Sequence, residues 1–170
     1  LGVRLVAWNI QGAFGQAGGL EARLDRIEGL TGELLAKGVS VAVLSEPRLP
    51  PGVPWPSWAQ YEFHGDRSSA PDSVAVLVLR EVKKSVSPIQ GVGDSRSIWL
   101  AVKLEADQGG ILVLGVYAPQ PKKCRAVRKE FWDSRRREFR FLRLRKGYQG
   151  WRRMVLGDLN VHFRGWPGNE

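Results

Sequence analysis

Apolar positions along this chain follow two rhythms. Val3-Arg4-Leu5-Val6-Ala7-Trp8 and Val39 to Leu44 are short, β-branched and apolar on successive residues, as in strands covered on both faces. Between them Leu20, Leu24, Ile27, Leu30 and Leu34 recur at the spacing of one helix face, and Gly38 is placed to end that helix. Strand, helix and strand within about 45 residues predict a βαβ unit, which favours parallel neighbours and an α/β fold.

The pattern then changes. Five prolines between Pro47 and Trp58 predict a stiff extended loop. Strands follow at Gln60–His64, Ser73–Leu79, Ile98–Glu105 and Ile111–Tyr117, with a Gly109-Gly110 hairpin turn joining the last two. Residues 122–148 predict a second helix, with Cys124, Val127, Phe131, Phe139 and Leu142 on or near one face. Met154 to Leu156 is the last strand. There is no internal repeat and no second domain, so residues 1–170 read as one domain.

Composition narrows the classes. A hydrophobic content of 43%, with seven Trp and six Phe, is too high for a disordered chain. Cys124 is the only cysteine, which excludes an internal disulfide and a thiolate metal cluster. No run approaches the roughly 18 apolar residues of a membrane span, and no basic-then-apolar leader follows Leu1, so no membrane partner is expected.

Charge changes the picture more. Residues 122–153 carry 14 of the 26 Lys and Arg against three acids, a net +11 that leaves −2 for the rest of the chain. Such a stripe fits a polyanion, with Lys122, Lys123, Arg135, Arg136 and Arg137 as candidate nucleic-acid contacts. A solvated helix face is the alternative.

Candidate chemistry sits where the apolar runs end. Asn9 closes the first, Glu46 the second and Tyr117 a later one; Asp158 and Asn160 close the last, just after Gly157. Polar groups at the ends of neighbouring strands can converge on one crevice. Glu46 there has lost water and needs a partner, for which Mg²⁺ is one candidate and Arg48 another. Asn9 could bond Glu46 or a cation-bound water, or make a strand-end turn. The Tyr117 phenol could donate to a phosphate oxygen or be satisfied within the core. Asp158 could activate a water and the Asn160 amide bind a phosphoryl oxygen, or the two could form an Asx turn. Trp55 and Trp58, in the proline-rich loop, are the aromatic pair most open to stacking on a base. His64 and His162 stand apart, without zinc-ligand spacing. Neither a serine-hydrolase elbow nor a nucleotide-binding phosphate loop is present.

Trp8-Asn9, Glu46, Tyr117-Ala118-Pro119 and Gly157-Asp158-Leu159-Asn160, in that order, resemble the endonuclease/exonuclease/phosphatase superfamily. Within it the chain looks most like the endonuclease domain of LINE-type (non-LTR) retrotransposon polyproteins. The resemblance implies a four-layer α/β (α+β) sandwich: two packed mixed β-sheets with outer helices, here lacking the C-terminal strands. It implies Mg²⁺ or Mn²⁺ held by Glu46 and Asn9, scissile-phosphate contacts from Tyr117 and Asn160, and Asp158 acting on the attacking water. The implied activity is nicking of DNA, in a polyprotein that also carries a reverse transcriptase, with a nuclear location if the target is chromosomal. The family's terminal Ser-Asp-His-type segment is absent before Glu170, so the 170 residues are expected to be an incomplete domain of impaired activity. Ser45-Glu46-Pro47 replaces the commoner Gln-Glu-Thr, Asp72-Ser73-Val74 stands where a glycine pair is usual, and Gln120 replaces a frequent Asn. Two other readings are a phosphoesterase of the same fold acting on a small phosphate ester, and a nucleic-acid-binding remnant that does not cut.

Overall fold

The computed structural model describes residues 2–15, 18–65, 71–104 and 109–160. Eight strands and two helices run in the order β1 (Leu5–Asn9), α1 (Gly19–Ala36), β2 (Val41–Ser45), β3 (Tyr61–Gly65), β4 (Val74–Leu79), β5 (Val86–Pro88), β6 (Ser97–Lys103), β7 (Gly110–Tyr117), α2 (Arg125–Leu144) and β8 (Arg152–Asp158). They form two four-stranded mixed sheets, ordered β1-β2-β4-β3 and β5-β6-β7-β8.

Alternation within the strands sets the layers. In β2, Ala42 and Leu44 face a core shared with Ile27 and Leu34 of α1, while Val41 and Val43 face the other sheet. In β7, Val113 points between the sheets, while Leu112, Leu114 and Val116 pack with Phe131 and Leu142 of α2. Both faces of each central strand are therefore covered, which is why they read as continuous apolar runs. The result is α1, sheet, sheet, α2: the four-layer α+β sandwich expected from the sequence.

Each sheet contains one βαβ unit. α1 connects the parallel pair β1 and β2, and α2 connects the parallel pair β7 and β8. The first helix stops where Gly38 predicts. Gly38, at φ 63°, donates its N–H to the Leu35 carbonyl at 2.8 Å, and Val39 donates to that of Leu34 at 2.9 Å. This is a Schellman cap, closed by contact between buried Val39 and Leu34.

Several boundaries differ from the sequence reading. β5, only three residues with a proline, has no periodic signal. The link between β6 and β7 runs from Leu104 to Gly109, longer than a Gly109-Gly110 turn, and the expected strand end Glu105 lies outside the described residues. The second helix is shorter than 122–148, and its first turns project into solvent: Cys124 and Val127 are exposed, not part of the buried face.

Arg135 is the main correction. Expected as a nucleic-acid contact, it is 6% exposed. Its guanidinium pairs with Asp94 at 2.9 Å and Glu138 at 3.0 Å, hydrogen-bonds the Ser97 hydroxyl, and lies over the Phe131 ring at 5.1 Å. Phe131, Arg135, Phe139 and Leu142 share one helical stripe, so the arginine fills a core-facing position and latches α2 to the sheet. Arg135→Ala should thus cost on the order of 2–5 kcal/mol, toward the lower figure because half-exposed Asp94 stays hydrated, and should act through stability. Denaturant titration checks this: a midpoint unchanged from the parent would remove the latch role.

Candidate active site

Parallel pairing within each βαβ unit sets the carboxyl ends of two strands side by side. Asn9 is in register with Ser45, the residue before Glu46, and Tyr117 is in register with Asp158. Across the sandwich these two pairs meet. The Tyr117 hydroxyl donates to Glu46 Oε1 at 2.9 Å, and Asn9 Nδ2 donates to Asp158 Oδ2 at 3.3 Å. Asn160 joins from the loop after β8: its backbone N–H donates to Asp158 Oδ1 at 2.9 Å and its amide to the Ala118 carbonyl at 2.6 Å. All five candidate residues therefore gather at one end of the two sheets.

Backbone conformation shows how the sequence builds this corner. Gly157 has φ 135°, and a Cβ there would stand 2.1 Å from the Val116 carbonyl oxygen. Only glycine lets β8 lie this close to β7 one residue before Asp158. Gln11, Glu46, Arg48 and Asn160 all have φ between 46° and 55°, a left-handed conformation that costs a non-glycine residue about 1 kcal/mol or more. Asn tolerates it best; Glu46, directly before Pro47, is doubly unusual. Backbone bonds hold it there, from the Glu46 N–H to the Ser73 carbonyl at 2.9 Å and from the Gly12 N–H to the Glu46 carbonyl at 2.7 Å.

The turn readings and the convergence both occur. Asn9 Oδ1 accepts the Gln11 N–H at 2.9 Å, and Asp158 Oδ1 accepts that of Asn160, so both side chains make Asx turns while their other atoms face each other. Asn9 thus bonds Asp158, not Glu46.

Electrostatics centre on Glu46. Its side chain is 17% exposed, and its second oxygen accepts from Arg48 Nη2 at 3.1 Å. The Arg48 stem crosses Gly12 and Gly15, where an added Cβ would come within 2.6 Å and 2.8 Å of it. Those two glycines make room for the arginine. Burial pushes the Tyr117 phenol above its ordinary range, against a bond from Gln120 that lowers it, with the Glu46 carboxylate adding to the rise. The phenol therefore stays protonated and remains a donor.

Gln120, Asp72 and Arg96 form an outer ring that the sequence pattern does not reveal. Gln120 Nε2 donates to the Tyr117 hydroxyl at 3.4 Å. Asp72 pairs with Arg96, whose carbonyl accepts the Tyr117 N–H at 2.9 Å. These residues lie in connections without periodicity; the departures noted in the sequence at Asp72 and Gln120 are the signals that could have found two of them.

Among the described residues no three His, Cys, Asp or Glu converge. One carboxylate with neutral oxygens nearby still suits Mg²⁺, which keeps several waters and takes one or two protein carboxylates. Glu46 supplies that charge, and Asn9 lies at the adjoining strand end.

Other candidates lie elsewhere. Lys122 and Lys123 are exposed before α2. Arg136 and Arg137 are exposed but paired with Asp133 at 2.9 Å and Glu130 at 2.7 Å. Trp55 is no stacking platform: it packs against Phe14 and Phe63 and donates to the Tyr61 carbonyl at 2.7 Å, whereas Trp58 is exposed. His162 lies outside the described residues.

No protein-family model and no curated protein matches the chain. Solved structures do. The endonuclease domain of TRAS1, a telomere-specific non-LTR retrotransposon, superposes with TM-score 0.61 at 14% identity, over 95% of this chain and 61% of that one. The AP endonuclease LMAP from Leishmania major gives TM-score 0.65 at 16% identity, over 94% and 55%. TDP2 from C. elegans gives 0.59 at 16% identity, over 94% and 48%. The chain thus spans between 48% and 61% of the length of these three structures. Layers, sheet order and these superpositions together identify its fold as the deoxyribonuclease I-like fold of the endonuclease/exonuclease/phosphatase proteins.

Proposed function

We propose that this chain carries the cation and phosphate site of a DNA endonuclease of the retrotransposon type, working with Mg²⁺ or Mn²⁺ within a longer polyprotein that includes a reverse transcriptase. The observation that carries the reading is the pair of cross-sheet bonds, Tyr117 to Glu46 and Asn9 to Asp158, which gather the ends of four strands. The likeness in fold to an endonuclease domain of a non-LTR retrotransposon supports it.

In this reading Glu46 holds the cation with Asn9 beside it, and the cation when bound polarises the phosphate and stabilises the departing 3′ oxygen. Asp158 accepts the proton of the attacking water, its carboxylate aimed by Asn9 and by the Asn160 N–H. Tyr117 has one proton to give. Donating it to a phosphoryl oxygen means releasing Glu46 Oε1, which frees that oxygen as the phosphate arrives. One amide hydrogen of Asn160 is held by Ala118, leaving the other for the phosphate.

Arg48 favours a second reading, a domain that binds nucleic acid without cutting. Its guanidinium gives Glu46 a counter-charge from the chain itself, so a cation must compete with it.

Titrating Mg²⁺ or Mn²⁺ separates the two. At about a hundred times Kd the melting temperature should rise by roughly 5–10 °C, because ligand binding to the folded state alone stabilises it. Glu46→Gln should abolish the shift, and Arg48→Ala should lower the metal concentration needed for it. A Glu46→Gln protein that responds like the parent rules Glu46 out as a ligand.

Nicking of supercoiled plasmid, assayed with the chain and with its parental extension, tests the chemistry. In whichever form nicks, Asp158→Ala should slow the reaction by about 10²–10⁴-fold, the usual contribution of a positioned proton acceptor. Metal and DNA binding without nicking in either form would leave the second reading standing.

A further inference from the structure

At the opposite end of β8, away from the strand-end site, Arg136, Arg140, Arg143, Arg152 and Arg153 surround an open cleft of about 640 Å³. No carboxylate lines it among the described residues. From residue 139 to residue 153 the sequence has six cations, Arg140, Arg143, Arg145, Lys146, Arg152 and Arg153, and no acid.

The helix divides its charge unevenly. Its three acids are all taken by cations at or before residue 137: Asp133 pairs with Lys129 and Arg136, Glu130 with Arg137, and Glu138 with Arg135. Nothing among the described residues neutralises the cleft arginines 140, 143, 152 and 153. The negative end of α2 accounts for part of this, but a helix terminus is worth about half an elementary charge. That offsets about half of one cation's charge, against four. Gathering the remainder without counter-charge works against folding unless an anion completes the cleft.

The cleft is also ordered for anions. Arg143 and Arg153 both lie over Phe139, at 5.8 Å and 4.9 Å, and Phe139 is stacked on Trp99 at 6.1 Å. Trp151 is committed in the same way, against Gly110 and Tyr148. Phe139 thus carries two guanidinium groups on a ring already stacked on Trp99. Planar guanidinium groups held in this way suit phosphate oxygens.

We infer that this cleft binds the phosphate backbone of nucleic acid, as a site separate from the strand-end site. Six residue steps along β8, from Arg152 to Asp158, place the two roughly 20 Å apart. At about 3.4 Å per phosphate along one strand, the cleft grips DNA about six nucleotides from the bond to be cut. That spacing rests on the endonuclease reading above; the binding itself does not.

The test is fluorescence anisotropy of a labelled 30-base-pair duplex over a range of KCl, with EDTA present so that no cleavage intervenes. Arg140→Ala/Arg143→Ala/Arg153→Ala should weaken binding at least tenfold near 0.1 M salt and reduce the salt slope by about 2–3, given about 0.9 per phosphate contact. Lys83→Ala/Lys84→Ala, on the remote β4–β5 connection, should change affinity less than twofold. The same three arginines replaced by Gln keep their stems on the ring and serve if the alanine protein fails to fold. An unchanged slope in the folded triple variant overturns the inference. So does micromolar competition by inorganic tripolyphosphate, which would mark a pocket for a small polyphosphate. Loss of binding in the triple variant, in a protein that never nicks, upholds this site and removes the endonuclease reading; nicking with unchanged binding does the reverse.

Discussion

Close stacking of the two sheets is the constraint on which the strand-end site depends. Gly115 of β7 sits against Val43 of β2, and a Cβ at Gly115 would stand 3.1 Å from a Val43 methyl. Tyr117 follows two residues later on the same face of the strand, and Glu46 three residues after Val43. A phenol hydroxyl reaches a carboxylate on the opposite sheet because the sheets have been drawn together just before it. The valines between them, Val41, Val43, Val74, Val76, Val78, Val102 and Val113, supply the force, each worth about 1.5–3 kcal/mol on burial. Packing thus positions chemistry that none of the four strand ends could assemble alone.

Charge in this molecule is organised by local pairing. Arg48 meets Glu46, Arg135 meets Asp94 and Glu138, and Arg96 meets Asp72. Two places nevertheless stand out. One is the strand-end corner, where a strained carboxylate is matched only by a neighbouring arginine on an equally strained backbone. The other is the arginine cleft beside α2. The second has positive charge in excess. Under the proposed function both features would serve to meet a phosphodiester chain.

Much of this was legible in the sequence, for identifiable reasons. Strands β2, β4 and β7 are covered on both faces, so their apolar runs are unbroken, and α1 has a helical period, from which exposed Leu20 departs, with a glycine stop. Strand ends follow from the strands, and the five candidate residues that converge there follow from the ends. What failed depended on distant segments. Arg135 reads as one more cation in a basic run because its partners include Asp94, which lies 41 residues earlier on the β5–β6 connection. Its place on the stripe of Phe131, Phe139 and Leu142 was the available clue. β5 exists because β6 offers it an edge, which three residues of sequence do not record. Cys124 and Val127 satisfy the helical period, but α2 begins beyond the sheet that would have covered them.

Strand order carries a separate consequence for how copies of this molecule behave together. Among the described residues β1 and β8 are both edge strands, and they lie across from each other on the same side of the sandwich. The outer backbone groups of each are unpaired among the described residues. β8 opens with Arg152 and Arg153, whose charge repels a second copy, but Leu5 to Asn9 in β1 contains no charged residue. Such an edge is a template for an incoming strand. In any form of the chain that leaves the β1 edge uncovered, self-association should therefore begin there, be held in check by the chain's own positive charge at low ionic strength, and accelerate as salt screens that repulsion.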